Sequence, residues 1–105
     1  MAWLILVISG FLEAVWATAL GMSNNFRKWR PTVAFAIALP LSMAGLALAM
    51  RSLPPGTAYA VWVGIGALGV ALAGIVALGE SASPMRLGLL ALILIGVIGL
   101  KLVEA

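Results

Sequence analysis

At 105 residues, 65% of them hydrophobic and 9% charged, the chain lies far from the composition of soluble globular domains, about 45–50% apolar and about 25% charged, so its solvent is largely lipid. Six basic residues outnumber three acidic ones, yet Arg27, Lys28, Arg30, Arg51 and Arg86 all sit in or beside short links between apolar runs. Membrane topology places positive charge there, so no basic face is left to track phosphates and nucleic acid is not a partner. With no Cys and no His, disulfides, thiol nucleophiles, most zinc sites and the commonest general base are missing, and neither a metal nor a cofactor is expected.

The first apolar run, residues 3–20, opens at Trp3 without a basic leader or a small-residue cleavage site, so it reads as mature protein and not as a signal peptide. Near its centre stands Glu13, more than a turn from either end and unable to reach the interface. An ionisable group at that depth costs at least about 2.5–3.5 kcal/mol, and such groups usually mark ion pathways or proton relays. The competing reading is a neutral acid that only hydrogen-bonds between helices. If Glu13 holds either a proton or a cation but not both, each displaces the other, which is the minimum chemistry of an antiporter. Gly10, one turn earlier, leaves room for a ligand or for another helix. Trp16, three residues later, shares the Glu13 face. The run ends in Gly21-Met22-Ser23-Asn24-Asn25 and a basic stretch up to Pro31.

A second span is predicted over 32–50. Pro40 lies inside it and removes one backbone hydrogen bond, a kink that membrane helices tolerate. Ser42, also mid-span, either donates to a carboxylate or bonds its own preceding turn. After Arg51-Ser52-Leu53-Pro54-Pro55-Gly56, a third span covers 57–78. Tyr59 and Trp62 repeat in it the i, i+3 relation of Glu13 and Trp16, and the two faces could converge so that ring faces flank a cation. Lipid-facing or packing roles for these rings stay open, whereas Trp3 and Trp29 fit interfacial anchors. Gly64 and Gly66 are either close-packing residues or a bend point for alternating access. A fourth span, 86–103, has no polar residue between Leu87 and Leu100. Its Gly96 and Gly99 suit helix packing, and the contact between two chains is expected there.

Four spans of about 20 residues define an all-α membrane protein of one domain, residues 1–105, because a spanning barrel needs many more strands than this length supplies. Short links make consecutive helices antiparallel neighbours. One side of the membrane receives Arg27, Lys28, Arg30 and Arg86, and the other receives Arg51, Lys101 and the amino terminus. So small a bias permits both orientations, hence an antiparallel dimer. Four helices also make too thin a bundle to enclose a polar cavity, so at least two chains are expected per working unit.

The segments Gly10-Phe11-Leu12-Glu13-Ala14-Val15-Trp16-Ala17 and Leu53-Pro54-Pro55-Gly56-Thr57-Ala58-Tyr59-Ala60-Val61-Trp62-Val63-Gly64-Ile65-Gly66 resemble the small multidrug resistance family, and the match covers essentially the whole chain. Trp16, Gly64-Ile65-Gly66, Gly79-Glu80-Ser81 and the ending Gly96-Val97-Ile98-Gly99-Leu100-Lys101 look like its guanidinium-exporter branch. The resemblance implies a dual-topology antiparallel homodimer in the inner (plasma) membrane that exchanges protons for guanidinium. It further implies Glu13 as the shared proton and substrate site, Ser42 and Trp16 as residues that tune it, and Tyr59 and Trp62 as cavity lining. Gly21 departs from the Lys that many relatives carry at the end of the first helix, which bears on loop electrostatics. Guanidinium suits the chemistry, being planar, with paired donors for a carboxylate and a face that stacks on aromatic rings. The alternatives are a broader exporter of quaternary ammonium and other lipophilic cations, and a membrane subunit that transports nothing. An enzyme is not expected, since Glu80 and Glu104 sit at span ends and no nucleophile–base pair is evident.

Overall fold

The structure, a computed structural model, describes residues 1–104. They form four helices: α1 (Ala2–Met22), α2 (Trp29–Ala49), α3 (Pro55–Ala77) and α4 (Pro84–Glu104), with no strand among the described residues. All four are long and apolar enough to cross a membrane. At 1.5 Å per residue, 21 to 23 residues span roughly 31–35 Å, matching a hydrocarbon core of about 30 Å. Lipid offers no partner for backbone N–H and C=O groups, so an apolar run of this length has to close its hydrogen bonds within itself.

Three helices begin two or three residues before the predicted spans. Pro55 and Pro84 open α3 and α4, where a missing N–H costs nothing and the fixed φ suits the first turn. Arg30 and Pro31 lie in the first turn of α2, where a missing proline N–H costs no intrahelical bond. α2 continues through the exposed Pro40. The link from α1 to α2 is a tight turn with positive φ at Asn24, Asn25 and Phe26. Ser23 fastens it, its hydroxyl donating to the Leu20 carbonyl at 2.8 Å and accepting from the Phe26 N–H at 3.2 Å.

α1 packs against α2 on one side and α3 on the other, and α4 lies along α3. Leu6, Leu46, Ala49, Ala58, Val61 and Trp62 form the buried centre. In lipid, helix association rests on close packing, which small residues permit. A Cβ added at Gly10 would lie 2.7 Å from Ile65 of α3, and one at Gly64 would lie 2.6 Å from Val97 of α4. The whole is a slab of 41 × 34 × 17 Å. Its thin dimension is less than two helix diameters of about 10–12 Å. None of the α4 span is buried within the chain.

Candidate functional site: a carboxyl group between α1 and α3

Glu13 is midway along α1, and its carboxyl group faces α3 at Gly66. A Cβ at Gly66 would overlap Glu13 Oε1, so the glycine is what lets the carboxyl group lie flat on the α3 backbone. Glu13 Oε1 is buried and has no hydrogen-bond partner among the described residues. In an apolar medium such an atom costs several kcal/mol unless something from outside the chain satisfies it. The carboxyl group also borders an open groove of about 400 Å³, whose walls include Ala17, Val63, Val70 and, at the far end, Glu80 and Arg86. A second groove, about 700 Å³, runs beside Phe11, Val15, Thr18 and Leu72 and carries no carboxylate. Of these two grooves, the smaller is the one lined by carboxyl groups.

One turn before Glu13, at Ser9, a ladder of polar contacts links three helices. Trp62 Nε1 donates to Ser42 Oγ at 3.1 Å, and Ser42 Oγ donates to the Ser9 carbonyl at 2.8 Å. Ser9 Oγ in turn donates to the Ile5 carbonyl at 2.7 Å. All three side chains are buried. Ser42 thus takes neither of its predicted partners, carboxylate or own helix. It bonds to α1 at the carbonyl that in an α-helix also accepts the Glu13 N–H, four residues on. Tyr59 is half exposed and its ring centroid lies 5.8 Å from that of Trp62.

Tyr59, Trp62 and Ser42 form one group. Trp16 packs against the core cluster that includes Trp62. It also packs edge-on against Phe35 of α2 at 5.9 Å, and Phe35 meets Phe26 at 5.7 Å. Trp16 Nε1 and Thr18 Oγ1 join Glu13 Oε1 as buried polar atoms without a partner among the described residues. Gly10 serves close approach of α3, since Ile65 fills the space beside it. Gly64 faces Val97, while Gly96 and Gly99 have open space where a side chain would be.

Several residues of the site escaped the reading of the sequence. Ser9 is one helical turn before Glu13 on the same face, a spacing that could have flagged it. Gly45 opposes it, and a Cβ there would overlap the Ser9 hydroxyl. Glu80 and Arg86 are joined by an ion pair of 2.6 Å across the α3–α4 link. No group of three or more His, Cys, Asp or Glu side chains that could hold a metal occurs among the described residues.

The Small Multidrug Resistance protein family matches residues 1–93. The chain belongs to that family. Small multidrug resistance proteins are transporters and not enzymes, and this one is a multi-pass membrane protein, of the inner membrane in bacteria. Among its relatives, a guanidinium exporter of Escherichia coli (strain K12) is 61% identical over 102 residues, 97% of each chain. One from Yersinia pseudotuberculosis is 57% identical over 97% of this chain and 98% of its own. One from Salmonella typhimurium is 54% identical over 97% of both.

Proposed function

We propose that this small multidrug resistance protein exports guanidinium ion and small guanidinyl compounds in exchange for protons. The observation that carries the reading is the buried, unpartnered Glu13 Oε1 at mid-membrane, open to a groove. A single carboxylate there can hold a proton or a cation, and exclusive occupancy couples the two flows without a second site. Guanidinium would satisfy both carboxylate oxygens with parallel N–H donors, and the relatives named guanidinium exporters favour it over cations without donors.

Glu13 is the proton and substrate site in this reading. Gly10 and Gly66 give its carboxyl group and its helix room against α3. Ser42, Tyr59 and Trp62 form the neighbouring polar and aromatic wall, and Trp16 tunes the site from the α2 side. The working unit is an antiparallel homodimer of dual topology. A slab 17 Å thick is too thin to enclose the Glu13 groove, and a second copy would cover it. The exposed α4, with open faces at Gly96 and Gly99, is the dimer contact. Alternating access then exposes the pair of Glu13 carboxyl groups to each side in turn, with Gly64 and Gly66 at the bend of α3.

The test is guanidinium-driven proton movement in proteoliposomes, with wild type beside Glu13→Gln and a bulky quaternary ammonium ion as the comparison substrate. Coupling to guanidinium that disappears in the variant supports the antiporter. Equal coupling to the bulky ion would replace guanidinium specificity with a broad cation exporter. No coupling to either ion would leave a subunit without transport of its own.

A further inference from the structure

The groove that begins at Glu13 has a second carboxylate at its other end. Its floor follows the stripe Val63, Gly66, Ala67, Val70 and Ala71 on one face of α3 and finishes at Glu80 and Arg86. From Gly66 to the end of α3 at Ala77 is roughly 16 Å of helix. One acid therefore lies at depth and the other at the membrane surface, joined by apolar wall.

Glu80 is held at this mouth by its backbone and by a guanidinium group. Its N–H donates to the Gly74 carbonyl at 3.0 Å, and the missing side chain at Gly74 gives its carboxyl group space against α3. On the outer side Arg86 Nη2 meets Glu80 Oε1 at 2.6 Å, while Arg86 Nη1 donates to the Ser81 carbonyl at 2.9 Å. Ser83 Oγ accepts the Arg86 N–H at 3.2 Å and fixes the start of α4. The side chains of Arg86 and Glu80 are 32% and 45% exposed, so water and solutes reach both. An ion pair this exposed is held weakly.

The ion resting on Glu80 has the same functional group as the proposed substrate. We propose that Glu80 is a second, transient cation site at the mouth of the groove, occupied at rest by the Arg86 guanidinium and taken over by a guanidinium ion on its way to or from Glu13. Tethering makes Arg86 an internal competitor with a high effective concentration, so Glu80 is neutralised when no substrate is near. A free guanidinium can turn both arms of its planar fork to the carboxylate, whereas Arg86 gives one arm to Glu80 and the other to the Ser81 carbonyl.

The inference rests on the proposed guanidinium transport and is tested by its concentration dependence in proteoliposomes, for wild type, Glu80→Gln, Arg86→Gln and Arg86→Lys. A transient site with an internal competitor moves the two neutral variants in opposite directions. Glu80→Gln should raise KM by about threefold and Arg86→Gln should lower it by about as much, the range that an exposed ion pair commands. Arg86→Lys, which keeps the charge but loses the fork, should fall between Arg86→Gln and wild type, and it carries the test alone if Arg86→Gln fails to insert. An ion pair that only braces the link predicts the same impairment in all three variants, and KM values that rise together or stay put overturn the proposal. Wild type that takes up no guanidinium would overturn the transport reading itself, and this inference with it.

Discussion

Gly66 is the surface on which the Glu13 carboxyl group rests: a Cβ at that position would overlap Oε1 and lie 2.9 Å from the Glu13 Cγ. The α3 backbone cannot give way without disturbing Gly64 against Val97 two residues earlier, so the Glu13 side chain has to move. Gly66→Ala should force it off its rotamer at a cost of about 0.5–1.5 kcal/mol, which lowers guanidinium affinity up to about tenfold. Isothermal titration of the purified variant in detergent reads this directly. Unchanged affinity would mean that Glu13 is free to swing clear of α3.

Gly64 offers a sharper separation of packing from bending. Its added Cβ would lie 2.6 Å from Val97 Cγ2, so Gly64→Ala overpacks the α3–α4 contact and should destabilise the protein by about 1–3 kcal/mol. Trimming the opposing residue in Gly64→Ala/Val97→Ala removes the clash, and the double variant should recover most of the lost thermal stability. Transport restored along with stability would assign Gly64 to packing. Stability restored without transport would keep it as the bend point of alternating access.

Ser42 and Trp62 should behave as a unit. Ser42→Ala removes both the acceptor of the Trp62 N–H and the tie to the Ser9 carbonyl, leaving a buried donor without its partner. A stranded buried group of this kind costs about 1–3 kcal/mol. Trp62→Phe deletes the donor instead. The double variant should then lose little more guanidinium affinity than the worse single one, an interaction energy of about 0.5 kcal/mol or more in a double-mutant cycle. Full additivity would show that the two residues act on the cation separately.

The four spans were legible because lipid leaves the backbone one solution, and about 20 apolar residues mark it. Helix starts were less legible. Arg30, Pro31, Pro55 and Pro84 read as link residues by composition, yet first-turn chemistry admits proline and all four lie in the first turns of their helices. Glu13 stood out as a mid-span acid, since nothing about its depth depends on tertiary contacts. Its surroundings do depend on them. That Ser42 reaches the Ser9 carbonyl, or that Gly66 lies against Glu13, follows from how α2 and α3 are rotated about α1. Periodicity gives the face of each helix but not which faces meet.

Proton and cation compete for one carboxylate in the proposed exchange, which fixes the sign of the pH dependence. Raising the pH removes the competing proton, so apparent guanidinium affinity should rise with pH and level off once Glu13 is ionised. For a single site the limiting slope is tenfold per pH unit, because each cation bound releases one proton. In a dimer the two Glu13 carboxyl groups titrate as a coupled pair, which spreads the rise over a wider range and makes it shallower. Of the other charged groups on the groove, Glu80 and Arg86 already pair with each other and cancel at a distance. Titrations of guanidinium binding across a pH series should therefore show proton release that disappears in Glu13→Gln. Pronounced pH dependence surviving in that variant would place the exchanged proton on another residue and separate the proton site from the cation site.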